Sequence, residues 1–104
     1  MCDNNPKMYK VRDEWTGRIF MSNEQTIREG FMHAHAIFLR EGDLSYNDLM
    51  DHLGLSPVMA GDKVGWSDEA PEPIIKADTE TGPRGLEPVL TLEFRPQPRN
   101  EFSV

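Results

Sequence analysis

A capped amphipathic helix in the first half of the chain most limits how this sequence folds. The segment after Ser22 carries apolar side chains at helical spacing, and they form one stripe: Ile27, Phe31, Ala34 and Phe38. Ser22 is a favourable N-cap, Gln25 lies at capping-box spacing, and Gly42 is a typical stop. A helix with one apolar stripe must bury it against another element, so the chain needs a second layer.

A second, shorter helix is predicted directly after the first. Ser45 is suited to cap it, and the negative charge of Asp48 in the first turn interacts favourably with the positive end of the helix dipole. Gly54 and Pro57 then end it. One face carries the apolar side chains Tyr46, Leu49, Met50 and Leu53. Because few residues join the two helices, we expect a helical hairpin.

The C-terminal third is typical of a β-hairpin. We predict strands over 74–78 and 89–95, joined by a turn over 81–85. Residues 7–21 fit either a short strand, from the alternation over 9–12, or a helix that Gly17 would disfavour. The predicted fold is α+β: a two-helix hairpin packed on a small antiparallel sheet, with a further N-terminal strand left open.

The chain length of 104 residues suits one domain. We expect a loose terminus over 1–6 and an irregular tail over 96–104. No apolar run approaches the ~18 residues that would span a bilayer, and the first residues lack the apolar region of a secretory signal. Cys2 is the only cysteine and has no partner for an intramolecular disulfide. These features favour a cytoplasmic protein.

The net charge of −7 comes from the middle of the sequence. Residues 41–81 hold ten acidic side chains against only Lys63 and Lys76, whereas the segments on either side are nearly balanced. Such an acidic segment repels nucleic-acid phosphates and attracts basic surfaces. It suits either a solvated, solubilising face or a surface that docks on a basic partner.

The docking hypothesis predicts a protein partner with a basic surface, without direct nucleic-acid or membrane binding. The candidate partner-binding residues are all acidic: Glu41, Asp43, Asp48, Asp51, Asp62, Asp68, Glu69 and Glu72. Direct nucleic-acid binding would instead need a basic face, for which the sequence offers Lys7, Lys10, Arg12, Arg18 and Arg28. The oligomeric state stays open.

No metal site emerges from the histidines. His33 and His35 are two positions apart, so on a helix their rings diverge by about 200°. Asp48 and His52 lie one helical turn apart, but a zinc site usually needs three or four protein ligands. They are better interpreted as a helix-stabilising pair.

The loops likewise match no metal-binding or phosphate-binding motif, and the serines and histidines form no local catalytic motif. The segment starting at Asp43 resembles a calcium loop but has Asp48 where glycine is needed and Gly54 where glutamate is needed. The 61–66 segment lacks the ending of a phosphate-binding loop and is better explained as a turn that carries Trp66 to the core. We therefore expect no catalytic residues, no cofactor and no metal.

The order of motifs resembles a known group of proteins. The amphipathic helix is followed by Gly-Asp-Leu-Ser-Tyr-Asn-Asp-Leu over 42–49, Leu-Gly-Leu over 53–55, Gly-Asp-Lys-Val-Gly-Trp over 61–66, and a hairpin closing with Pro98 and Arg99. This pattern is similar to small uncharacterised proteins of phages and conjugative elements in Gram-positive and gut bacteria. The resemblance spans 25–99 and implies a cytoplasmic accessory protein of a mobile element, with no assigned activity.

These observations lead to one functional expectation and two alternatives. The protein is expected to be a non-enzymatic accessory protein that binds another protein through its acidic surface. One form is an inhibitor of a host nucleic-acid-binding defence protein, as an anti-CRISPR is. The alternatives are a structural subunit of a larger assembly, or a small enzyme with a pocket around His35 or His52.

Overall fold

The structure, a computed structural model, describes residues 7–100 and has an α+β architecture, as the sequence predicts. Seven strands and two helices follow one another in this part of the chain. Their bounds are β1 Tyr9–Asp13, β2 Ile19–Ser22, α1 Glu24–Glu41, β3 Leu44–Ser45, α2 Tyr46–His52, β4 Val64–Trp66, β5 Glu72–Gly82, β6 Gly85–Arg95 and β7 Arg99–Asn100. The predicted loose terminus over 1–6, including Cys2, lies outside the described residues.

The main sheet has four strands in the order β2-β1-β6-β5. Residues 7–21 therefore supply strands, which decides the open choice between strand and helix. β1 pairs antiparallel with β2 but parallel with β6, where Val11 lies opposite Leu90. The sheet is thus mixed and not antiparallel as predicted, because β6 pairs antiparallel with β5 on one side and parallel with β1 on the other.

The predicted hairpin is present but longer than expected. β5 and β6 each contain eleven residues and are joined by Pro83 and Arg84 alone. The predicted alternation within β6 is kept only in part: Leu92 and Phe94 are buried and Arg95 is exposed, but Thr91 on the opposite face is also buried. The extra pairs at both ends, from Glu72 with Arg95 to Gly82 with Gly85, give a ladder that local alternation alone understates.

The first helix begins one residue later than predicted. Asn23, not Ser22, is its N-cap, and the Asn23 side chain accepts a hydrogen bond from the Thr26 amide at 2.8 Å. Ser22 is instead the last residue of β2, where it pairs with Tyr9. The predicted stop is confirmed: Gly42 adopts φ 86°, and its amide donates to the Phe38 carbonyl at 2.8 Å.

The two helices do not form the simple helical hairpin that the sequence predicts, because a short strand lies between them. Leu44 and Ser45 form β3, which pairs antiparallel with β4 in a second sheet of order β3-β4-β7. The helices do approach each other at Gly30, where an added Cβ would lie 2.8 Å from the His52 carbonyl oxygen. Ser45 caps α2 as predicted, accepting from the Asp48 amide at 3.0 Å.

The long connection after α2 packs on the core around Trp66. That side chain is 2% exposed, and its indole N–H donates to the Pro96 carbonyl at 2.7 Å. This confirms the predicted role of the 61–66 turn. The contact also orders the start of the expected irregular tail: Arg99 and Asn100 pair with β4 as the short strand β7. Residues 101–104 lie outside the described part.

Candidate functional site

Seven of the eight acidic candidates lie on the two helices or on connections, and Glu72 is the first residue of β5 in the main sheet. Glu41 ends α1, and Asp43 stands between α1 and β3. Asp48 and Asp51 belong to α2. The others lie before β4, between β4 and β5, and at the first position of β5: Asp62, Asp68, Glu69 and Glu72. We call these eight residues the acidic surface.

One part of the acidic surface is assembled around the buried side chain of Asn47. Its amide nitrogen donates to the Val58 carbonyl at 3.1 Å and to an Asp62 carboxylate oxygen at 3.2 Å. Its carbonyl oxygen accepts from the Val58 amide at 2.8 Å. The loop that carries Asp62 is therefore held against the start of α2, where Asp48 is the next residue after Asn47. The fold thus brings Asp62 to the start of α2, although Asn47 and Asp62 are fifteen positions apart in sequence.

The later members of the acidic surface are held elsewhere. Asp68 accepts a hydrogen bond from the Arg99 guanidinium at 2.9 Å, and both side chains are more than 70% exposed. Glu69 is exposed beside Asp68. Glu72 lies on a groove next to α1. The acidic surface is therefore spread over several connections, and its members reach solvent rather than converging on one point.

Most of these carboxylates lack a neutralising cation. Glu41 pairs with Arg40, and Asp68 pairs with Arg99. Within residues 7–100, five others form no ion pair: Asp48, Asp51, Asp62, Glu69 and Glu72. All five are exposed. Exposed carboxylates without an ion pair attract counterions, so a basic surface would gain free energy by approaching them.

Three basic side chains outside the acidic surface are paired with carboxylates of the main sheet. On the sheet face away from the helices, Lys10 and Arg12 both contact Glu80, at 2.5 and 2.9 Å. The hydrogen bond from Lys10 is the main reason why the pKa of Glu80 is lowered, and the same bond raises the pKa of Lys10. Lys76 is paired with Glu93 at 2.9 Å, which raises the Lys76 pKa. This face is charged but internally balanced.

The histidines occupy separate positions. His35 lines an open groove of about 360 Å³ between α1 and the start of β5, together with Met32, Leu39 and Pro73. The ring of His33 instead lies edge-on to that of His52, with 6.3 Å between centroids. Asp48 forms no ion pair with His52 in residues 7–100, so the predicted helix-stabilising pair does not form. In the same residues, no three His, Cys, Asp or Glu side chains are grouped to hold a metal ion.

Sequence reasoning missed a buried carboxylate at the end of β1. Asp13 is 0% exposed and accepts hydrogen bonds from the amides of Trp15 and Thr16, at 2.8 and 3.3 Å. It also accepts from the hydroxyl of the fully buried Tyr46. Burial, followed by this hydrogen bond, raises the pKa of Tyr46 well above its ordinary value.

The contact between Asp13 and Tyr46 connects the main sheet to α2 and has a structural role. The Trp15 ring lies over that of Tyr46, with 4.7 Å between centroids, and ties the β1–β2 turn to α2. The sequence signal was an aspartate two residues before the turn's tryptophan, a spacing that lets the side chain bond to the backbone of the turn.

Comparisons with known proteins place the chain in a family without assigning it an activity. No curated protein and no solved structure matches it. No helix in the described residues is long and apolar enough to cross a membrane. The sequence does match DUF6353, described as a family of unknown function, over residues 2–103. Because that match covers nearly the whole chain, this protein belongs to the DUF6353 family.

Proposed function

We propose that this domain is a non-enzymatic binding protein that docks through its acidic surface on the basic surface of another protein. The observation that carries the proposal is the unbalanced charge of that surface. Five exposed carboxylates have no cationic partner within residues 7–100, while Lys10, Arg12 and Lys76 are already paired on the far sheet face. Charge that the fold leaves uncompensated is available to a partner.

The chemistry of this surface favours one class of partner. Exposed, unpaired carboxylates resemble the phosphates of a nucleic acid in sign and in access to solvent. Asp62 accepts a hydrogen bond from the Asn47 side chain, and Asp48 follows Asn47 on a helix that Ser45 caps. We propose a partner whose basic groove ordinarily binds nucleic acid, so that docking of this domain competes with that ligand. In a mobile-element setting, a host defence protein is such a target, and the domain acts as an anti-CRISPR does.

The test is a capture experiment on bacterial lysate with tagged protein and a matched pair of variants. The site variant neutralises Asp48, Asp51 and Asp62 as Asn. The control neutralises three carboxylates of the main sheet and its β1–β2 turn, Glu14→Gln, Asp78→Asn and Glu87→Gln, so both variants change the net charge equally. Captured proteins are compared at about 50 and 500 mM salt, because exposed ion pairs are screened at high salt.

Specific retention of a basic protein by the wild type and the control, but not by the site variant, is the expected result. Elution at 500 mM salt and competition by added DNA or RNA are expected with it. The proposal fails if no partner is retained, if binding ignores salt, or if both variants lose it equally. A partner lost only when exposed apolar side chains are changed would indicate an assembly subunit. Leu86 and Met59, 73% and 98% exposed, would be the first to change.

A further inference from the structure

The outer side of α1 carries an apolar row that the monomer does not cover. Met32 and Leu39 are 63% and 72% exposed, although large apolar side chains on a helix normally face the core. They are seven residues apart, so they lie within about 20° of each other around the helix axis. Ala36 lies between them, and its small side chain allows another helix to approach closely. This row therefore has the spacing of a helix–helix seam.

The row borders a recess. Met32, Ala36 and Leu39 form one wall of the groove of about 360 Å³, and Pro71 and Pro73 contribute to the facing wall. A helix that packs along the row would therefore bury more surface than contact with α1 alone, because its apolar side chains would also fill the groove beside α1. We propose that the occupant is α1 of a second copy of this chain, packed antiparallel about a two-fold axis near residue 35.

The argument for a second copy is self-complementarity. A two-fold axis between positions 35 and 36 places Met32 opposite Leu39 of the other copy, and Leu39 opposite its Met32. The one apolar contact is therefore formed twice in the dimer. The same operation places Ala36 next to the axis, with His35 of the other copy opposite it on the groove side, so the small Ala36 side chain leaves room for the helices to approach. A second copy of this chain is therefore sufficient to cover the row, and no different partner protein is needed.

The charges beside the row obey the same symmetry. Glu29 and Arg40 lie on the same flank of α1, about 20° apart around the axis and on opposite sides of residue 35. The two-fold axis brings Glu29 to within two residues, or about 3 Å along the axis, of Arg40 in the other copy. That offset is well within the reach of an arginine side chain. Two equivalent ion pairs then form, one at each end of the apolar row.

Neither charge is committed to a strong interaction in the monomer. Among residues 7–100, the one hydrogen bond that the Glu29 carboxylate accepts comes from the exposed Gln25 amide, at 3.1 Å. Arg40 contacts the adjacent Glu41 at 3.3 Å, and both side chains are more than half exposed. Exposed pairs of this kind contribute little, so exchanging them for pairs across an interface has a small cost. A single helix pair is a small interface, and we expect a dissociation constant of roughly 10 to 300 µM.

Sedimentation equilibrium between about 5 and 500 µM protein tests the inference. Wild type should change from monomer to dimer across this range. Met32→Glu should weaken dimerisation at least about tenfold, because it buries a charge in the seam twice over. Met59→Glu is the matched control: Met59 is 98% exposed and lies far along the chain from α1, so this variant should dimerise like wild type. Circular dichroism should show wild-type helicity for both.

Charge reversal tests the orientation. Glu29→Arg and Arg40→Glu should each weaken the dimer by placing like charges opposite each other, and the double variant should restore it. A wild type that is monomeric at 500 µM overturns the inference, as does a dimer insensitive to Met32→Glu. Failure of the double variant to recover overturns the antiparallel arrangement. None of these variants replaces a residue of the acidic surface, and Met32→Glu and Glu29→Arg also leave its ion pairs intact, so their use in the capture experiment separates a failure here from failure of the proposed function.

Discussion

The hydroxyl of Tyr46 provides the sharpest test of what holds the two layers of this fold together. Tyr46 lies at the start of α2, and its hydroxyl donates to Asp13 at the end of β1, thirty-three residues earlier. Both residues are 0% exposed. Replacing Tyr46 with Phe removes one oxygen and leaves a buried carboxylate oxygen without its donor. The ring can keep its packing on Trp15 and Phe94, so the change isolates the hydrogen bond.

The size of the effect follows from the charge and the burial of the acceptor. A hydrogen bond to a charged group contributes about 1.5–3 kcal/mol, against about 1 kcal/mol for a neutral pair. Water cannot replace the lost donor without opening the joint between β1 and α2. We therefore expect Tyr46→Phe to lower the free energy of unfolding by about 2 kcal/mol. Set against a typical total of about 5–15 kcal/mol, this is a readily measured loss.

Urea unfolding followed by circular dichroism at pH 7 is the assay. Tyr9→Phe is the matched control, because Tyr9 is half-buried and its hydroxyl makes no hydrogen bond within residues 7–100. It should change stability by less than about 0.5 kcal/mol. Asp13→Ala, alone and combined with Tyr46→Phe, completes a double-mutant cycle, with an expected coupling of about 1.5–3 kcal/mol. A coupling near zero, or equal effects of the two tyrosine variants, would refute the reasoning.

Two further predictions concern the second sheet and the charged sheet face. Gly65→Ala should destabilise the fold by about 1–3 kcal/mol, because its Cβ would collide with the carbonyl oxygen of Leu44 on β3. In thermal or urea unfolding, Gly82→Ala should cost much less, since only the movable Glu87 side chain stands in its way. Glu80 has a lowered pKa, so its contribution to stability is present above about pH 4.5 and is lost as pH falls through the lowered value. Glu80→Gln should therefore flatten the dependence of the urea midpoint on pH below 5, and an unchanged acid limb would contradict this.

Local signals in the sequence were enough for the helices and the main hairpin. The stripe from Ile27 to Phe38, the stop at Gly42 and the Ser45 cap all act over one or two helical turns, and all three are present in the structure. The alternation around Leu92 predicts β6 for the same reason. Such signals depend on neighbouring residues only, so a single sequence is sufficient to interpret them.

The missed features depend on residues that are distant in sequence. The parallel pairing of Val11 with Leu90 joins strands separated by both helices, and no local pattern states the direction of such a pairing. Asp13 looked like one of many exposed carboxylates because its partner, Tyr46, belongs to another element. The acidic surface is intermediate: its composition was visible in sequence, but the approach of Asp62 to α2 depends on the buried amide of Asn47.

The topology explains why charge that is nearly balanced at the ends of the chain becomes unbalanced on the surface. Only β6 lies between β1 and β5, so the side chains of Lys10 and Arg12 extend across β6 and pair with Glu80. The other members of the possible basic face are dispersed. Arg18 donates to the Ser56 carbonyl at 2.7 Å, and Arg28 pairs with Glu24 on its own helix.

The fold therefore uses these bases internally and leaves Asp48, Asp51 and Asp62 without cations among the residues described. A nucleic acid would meet basic groups that are already engaged and would be repelled by these carboxylates. A basic protein would meet carboxylates with nothing to displace except counterions. Under the proposed function a basic partner supplies the cations that pair with these carboxylates, which is why salt is the decisive variable in the capture experiment.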